Sequence, residues 1–444
     1  MRGRRTAQRR EAAAKRFAPD LRDVYQFHRA LAGRWKGRVQ ACEPWNEADI
    51  PMFGGHTGAE MAAFQKAAYL GLKAGDPAAI ACLNVFAVER AATLEDLAAN
   101  EAWPYFDTCN LHHYVVADRY PAWYAAFRRI SAGRPLWVTE FCLPVQWSGD
   151  PAAQEPSDAD LRLQAQRVPL SFAAVLHEGP AAAFYFLFPH YVEGKIQFGI
   201  VRRDLTPRPA YVALAAAGRL LADARPLGRA TAADARVRAY LFAARPDGVK
   251  REVLVAWTTA GAAALDLPVA PAALFDHLGR PLPAPADARL ALSVAPVYAL
   301  FPPGTAGRMQ LAAPPAPAGA PPVAIAPSPI VLQALWPAER SSVDASAYRL
   351  TAGGAAQEVP LFAYNFSAEP ATGSLHVDAP AGWTATAPQP LELAAGERKE
   401  LRLRVTPGEG GAAGVVTVRG DFARQGRPVV AVRFVVERPA SRPQ

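Results

Sequence analysis

Cys42-Glu43-Pro44-Trp45-Asn46-Glu47 ends a short apolar run on a carboxylate, and Leu136-Trp137-Val138-Thr139-Glu140-Phe141 does the same roughly ninety residues later. A strand that delivers Glu at its carboxyl end places a titratable oxygen at the mouth of a parallel barrel, the face from which such barrels do their chemistry. Two such carboxylates, suitably spaced, can cleave a glycosidic bond.

Outward from these runs, residues 21 to 221 alternate short apolar stretches with amphipathic ones, the signature of βα units. Five stretches read as strands: Arg38 to Glu43, Ala78 to Val85, Phe106 to His113, Pro135 to Phe141 and Ala181 to Phe188. Ala59 to Lys73 and Leu161 to His177 read as helices between them. A complete (β/α)8 barrel takes about 250 residues. This region supplies only about 200, three strands short.

The expected fold class is therefore α/β, a partial (β/α)8 TIM barrel of about strands 4 to 8 followed by two all-β domains. The expected divisions are a basic disordered tail over 1–20, the partial barrel over 21–224, a small β-sandwich over 230–305, a Pro/Ala-rich linker over 306–335, and an immunoglobulin-like β-sandwich over 336–440. Trp336 and Trp383 in the last of these are expected in its core rather than on sugar.

The chain of 444 residues carries a formal charge of +8. Arg2, Arg4, Arg5, Arg9, Arg10, Lys15 and Arg16, set against Glu11, supply +6 of it, so the body is close to neutral. This terminal run lacks interleaved aromatics and argues against a nucleic-acid partner. The run is not followed by an apolar segment of the kind found in secretory signals, and no stretch of about 18 apolar residues suggests a membrane span. As written, the chain is expected to be cytoplasmic; a signal peptide upstream would make it extracellular or periplasmic. Cys42, Cys82, Cys109 and Cys142 sit in or beside expected strands at spacings that match no metal motif, so buried thiols are expected, with no metal and no cofactor.

Retaining hydrolysis needs one carboxylic acid and one carboxylate nucleophile with separated ionisation, and Glu47 and Glu140 are the candidates. The two-residue period of a strand puts Asn110, His112 and Tyr114 on one face, where imidazole and phenol can hydrogen-bond a carboxylate; a polar strand end satisfied by loop backbone is the plainer alternative. Glu43, inside its strand and before Pro44, is expected to serve as a structural hydrogen-bonding group. Asp49, Asp107 and Asp204 read as turn or strand-start residues.

Trp45-Asn46-Glu47, His112-His113-Tyr114 and Trp137-Val138-Thr139-Glu140 resemble, in that order, the fourth, sixth and seventh strand ends of clan A glycoside hydrolases, nearest to family 39 or the broader family 5. Phe198 to Tyr211 is similar to the passage joining the eighth strand to its helix in that clan. The resemblance spans roughly residues 20 to 222 and begins at what corresponds to the third helix. It implies that Glu47 is the acid/base, Glu140 the nucleophile, Asn46 a donor to the sugar hydroxyl next to the reacting carbon, and His112 and Tyr114 supporting donors. Trp45 and Tyr185 complete the expected substrate-binding set. The clan's tryptophan platform after the eighth strand is replaced here by Phe184-Tyr185-Phe186-Leu187-Phe188. A carbohydrate substrate is the expected partner. The first three strands are missing from the match, so the expectation is either a start downstream of the true one or a non-catalytic carbohydrate-binding or scaffold protein derived from a glycosidase.

Overall fold

The computed structural model describes residues 16–147, 155–317, 319, 326–408 and 412–437. The chain divides into two compact units: residues 1–111 with 126–135 and 318–444, and residues 112–125 with 136–317.

The first unit begins with helix α1 (Leu21–Arg34), strand β1 (Ala41–Cys42), helix α2 (Gly58–Gly75) and strand β2 (Ile80–Ala81). Local chemistry sets these boundaries. The Asp20 side chain accepts from the Arg22 amide to cap α1, and Thr57 with Glu60 forms a reciprocal capping box on α2. β1 and β2 pair in parallel, Ala41 with Ile80 and Cys42 with Ala81, and a parallel bridge from Cys82 to Thr108 leads on towards strand β3 (Cys109–His113). α1 and α2 cross closely because Gly71 and Gly75 lie one turn apart. A Cβ on either would come within 2.3 Å of a backbone oxygen of α1, Tyr25 O or Arg29 O.

Helix α2 is buried on nearly every side from Gly58 to Ala68. Ala63, Phe64, Ala67 and Ala68 share a core with Leu21 and Val24 of α1 and with Val331, Phe362 and Tyr364 of a C-terminal β-sandwich. That sandwich has a four-stranded and a six-stranded sheet. Leu332, Leu361 and Leu403 of the first meet Val418, Val432 and Phe434 of the second in one core. Trp336 and Trp383 lie in this core too, where the sequence placed them.

Two of the expected divisions of the chain need correction. Residues 1–15 of the expected tail lie outside the described residues, but residues 16–20 are built into the fold. Arg16 donates to Gly54 O, Gly55 O and Glu60, and the Phe17 ring stacks on His56 with centroids 3.6 Å apart. The 306–335 stretch expected as linker carries strands near both ends: Leu311–Ala312 pairs with Arg229 and Ala230, and Ile330–Ala334 is a fully buried strand of the sandwich. The apolar Ile330-Val331-Leu332 run has a core to fill, and the Pro/Ala composition around it conceals this.

In the second unit, strand β4 (Leu136–Phe141) pairs in parallel with the strand Ala182–Tyr185. Helices Asp158–Glu178 and Pro209–Leu220 pack together around Ala165, Val168, Ile200, Ala210 and Ala213. Each of the five expected strands contains a strand, shorter than its apolar run, because the flanking residues serve as loops. A three-stranded antiparallel ribbon of Val145–Gln146, Ile196–Gln197 and Val192–Glu193 was not expected. Beyond residue 225, a seven-stranded sheet and a two-stranded one enclose a core including Leu241, Leu254, Leu265 and Phe301. The architecture is thus barrel-type βα alternation followed by β domains. Among the described residues, no helix is long and apolar enough to cross a membrane.

Candidate active site

Glu140 lies near the carboxyl end of β4, and the local register aims it. Val138 pairs with Ala183 and Phe141 with Tyr185, so three steps on β4 span two on its neighbour, and one extra residue is bulged out. Such bulges redirect side chains next to active sites. As a result Thr139 and Glu140, although adjacent, both reach His112: Thr139 Oγ1 is 3.1 Å from Nε2, and Glu140 Oε2 is 3.4 Å from Nδ1. Phe141 turns away to pack on Phe172 and Tyr185. The Tyr114 hydroxyl donates to the same Glu140 Oε2.

One carboxylate oxygen is therefore approached by a phenol and an imidazole, while the Glu140 side chain stays about one quarter exposed and His112 is buried. A hydroxyl donor such as Tyr114 favours the ionised carboxylate. The next residue, His113, has a different role. Burial, then the neighbouring His112, pushes it down to about 3, and its Nε2 lies 3.0 Å from the Tyr124 hydroxyl. His113 is a neutral packing residue, and strand parity alone separates the two histidines.

Around Tyr114 stand Phe186 and Phe198, at 5.9 and 5.6 Å between ring centroids and nearly edge-on. Tyr185, expected as a substrate-binding residue, points the other way. It stacks on Phe172 at 6.1 Å, packs edge-on to Phe141, and borders the core of the two long helices. The alternation of a strand sends Tyr185 outward and Phe186 to the Tyr114 side. Sequence reasoning missed Thr139, Phe186 and Phe198 as members of this group. The two-residue period through 184–186 was the available signal.

Trp45, Asn46 and Glu47 belong to the other unit, on the loop after β1. Glu47 is buried and adopts a positive φ of 47°, a conformation that costs a non-glycine residue of order 1 kcal/mol and is concentrated at functional sites. The loop is fastened from within: His56 N donates to Ala48 O, Ile50 N to Glu47 O, and the buried Asp49 carboxylate accepts from the Ala87 and Val88 amides at 2.8 and 3.2 Å. Burial pushes the Asp49 carboxyl up to about 6. Asp49 thus ties the loop after β1 to the loop after β2.

Trp45 is a packing residue, contrary to its expected contact with sugar. Its indole N–H donates to Phe53 O at 3.0 Å and its ring meets Phe17 and Phe64 edge-on. Asn46 is half-buried beside Glu47. Glu43 accepts from Asn110 Nδ2 at 2.6 Å, and Asn110 in turn accepts from Thr108 Oγ1, which gives Glu43 a structural hydrogen bond. All four cysteines are free thiols, three of them buried, and burial pushes Cys82 up to about 11.

Residues 351–424 match the family described as NPCBM-associated, NEW3 domain of alpha-galactosidase. No curated protein matches the chain. Among solved structures, the chain is similar to a family 39 glycoside hydrolase from the gut symbiont Bacteroides cellulosilyticus, at 18% identity and a TM-score of 0.49, over 64% of this chain and 63% of that one. It is also similar to a monomeric beta-xylosidase from Caulobacter crescentus, at 14% identity and a TM-score of 0.42, over 64% of this chain and 76% of that one. These structural neighbours are glycoside hydrolases of the kind the sequence motifs resemble. The chain spans 63% of the length of the first.

Proposed function

We propose that the protein is a retaining glycoside hydrolase acting on O-linked oligo- or polysaccharides, with Glu140 as nucleophile and Glu47 as acid/base. The observation that carries this reading is the bulged end of β4, which turns Glu140 to the Tyr114 hydroxyl and the His112 imidazole on one oxygen. In the first step Glu140 attacks the anomeric carbon while Glu47 protonates the departing oxygen. In the second, Glu47 takes a proton from water, which displaces Glu140 from the covalent glycosyl intermediate. Tyr114 and His112 hold the nucleophile charged before attack, and the strained, tightly fastened loop holds Glu47 in one orientation.

The competing reading is a protein that contacts glycans without turning them over, and the match of the C-terminal sandwich to an alpha-galactosidase domain favours carbohydrate contact in either case. Glu140→Ala separates the two. Hydrolysis of an activated aryl glycoside is expected to vanish in this variant, and added azide to restore turnover as a glycosyl azide. Undiminished hydrolysis by Glu140→Ala removes Glu140 from its role.

A further inference from the structure

Ion pairing is uneven in the β domain beyond residue 225. Arg236 pairs with Asp234, Arg238 with Asp118, Arg280 with Asp276 and Arg289 with Asp266. Arg225, Arg245, Lys250 and Arg251 form no ion pair among the described residues, and all four line one cleft of about 480 Å³. A cleft of that volume is in the range of small-ligand sites.

Strand pairing builds the cleft. Ala243, in the strand Val237–Ala244, lies opposite Arg225 of the strand Arg225–Ala230 on one side and opposite Glu252 of the strand Arg251–Thr258 on the other. Directly opposed residues of antiparallel strands share a face, so the Ala243 methyl makes a low floor between a guanidinium and a carboxylate. The turn between the last two of these strands carries Arg245 and Lys250 at its two ends. Backbone bonds fix this turn: Arg245 N donates to Ala222 O, Gly248 N to Arg245 O and Val249 N to Pro246 O.

The carboxylates close by are committed elsewhere. Glu252 accepts from the Gly304 and Ala306 amides at 2.8 and 2.6 Å, and Asp247 faces Arg219 at 3.9 Å. Asp223 alone is left in the cleft to offset four cations. Like charges gathered in a cleft repel one another and focus their field on what enters it, so an anion stabilises the arrangement. No aromatic ring lines the cleft, which leaves a neutral sugar or a nucleic-acid base nothing to stack on. Guanidinium forks match the oxyanions of carboxylates and sulfate esters.

We infer that this cleft is a binding site for the oxyanion of an acidic glycan, a uronate carboxylate or a sulfate ester, and that it shares no residue with the Glu140 group. Arg225 and Arg245 hold the oxyanion, and Lys250 and Arg251 add to the field around it. Titration calorimetry on the full chain at low salt tests this with tetragalacturonate, a heparin-derived tetrasaccharide, cellotetraose and a short single-stranded DNA. At least one acidic glycan is expected to bind, with affinity that falls as salt is raised, and the tighter of the two tells carboxylate from sulfate. Arg225→Glu with Arg245→Glu is expected to weaken it by at least about tenfold and to leave any binding of cellotetraose unchanged. Arg236→Glu with Arg289→Glu makes the same change of net charge outside the cleft and is expected to retain the acidic glycan.

Three results overturn the inference: neither acidic glycan binds, both double variants lose binding alike, or DNA binds more tightly than either acidic glycan. If the charge-reversed cleft variant does not fold, Lys250→Gln on the exposed turn is expected to weaken the acidic glycan about threefold, and unchanged affinity there overturns the inference as well. Binding is read without turnover, so the hydrolase reading stands or falls separately.

Discussion

Replacing Asp49 by Asn tests whether the loop carrying Glu47 is held by a buried carboxylate. The Asp49 carboxyl is fully buried, and burial raises it from 3.8 to about 6 despite two backbone amides pointing at it. At about 1.4 kcal/mol for each pH unit in that interval, keeping it ionised in the fold costs about 3 kcal/mol. The folded protein therefore holds this proton more tightly than the unfolded chain, and stability falls as pH rises from 3.8 through about 6. About 2 kcal/mol of the change falls between about pH 4.5 and 7. Asp49→Asn is neutral throughout and lacks this component, so its stability relative to the wild type is expected to improve by about 2 kcal/mol over the same interval. The amide also turns an N–H towards an N–H donor, either Ala87 or Val88, which loosens the turn around Glu47 and lowers kcat at pH 7. Urea midpoints at the two pH values, with kcat beside them, provide the assay. A stability difference independent of pH refutes the reasoning.

Lys66 is buried on α2, with Nζ 2.9 Å from Val429 O, and desolvation lowers it to about 8. Wild-type stability is expected to rise relative to Lys66→Met between about pH 8 and 10.5, where the unfolded chain binds the extra proton, and denaturant titrations in that range check the sign. Tyr114→Phe removes the hydroxyl donor to Glu140 and is expected to lower kcat roughly 10- to 100-fold, the value of one charge-assisted hydrogen bond. A loss below about threefold in steady-state kinetics assigns the phenol no part in the chemistry. Tyr185→Leu is expected to cost about 1–3 kcal/mol of stability through lost packing on Phe172 and Phe141, with KM unchanged. A raised KM in this variant returns Tyr185 to the site.

The parts of the fold legible in the sequence were those that depend on periodicity. Strands at Ala41–Cys42, Ile80–Ala81, Cys109–His113, Leu136–Phe141 and Ala182–Tyr185 all fall inside apolar runs, and the parity of His112 and Tyr114 put both on one carboxylate. What the sequence hid depends on tertiary context. The bulge between Val138 and Phe141 adds one residue with no compositional mark, yet it decides where Glu140 points. Trp45 looks the same in sequence whether its indole serves a sugar or Phe53 O. The Val192–Gln197 ribbon is too short and polar to show a core-facing period, although its two-residue Gly194-Lys195 loop, with Gly194 first and at a φ of 58°, is the mark of a tight hairpin turn. The strand Ile330–Ala334 was hidden by Pro-rich flanks that dominate any composition window.

The account turns on Glu47 and Glu140 flanking one sugar, and a crystal structure of Glu140→Gln with a bound oligosaccharide measures this directly. A retaining mechanism predicts that the carboxyl oxygen of Glu47 and the side-chain oxygen at position 140 lie about 5 to 5.5 Å apart on either side of the scissile bond. A separation well beyond roughly 10 Å, or a glycan seated away from both, contradicts it.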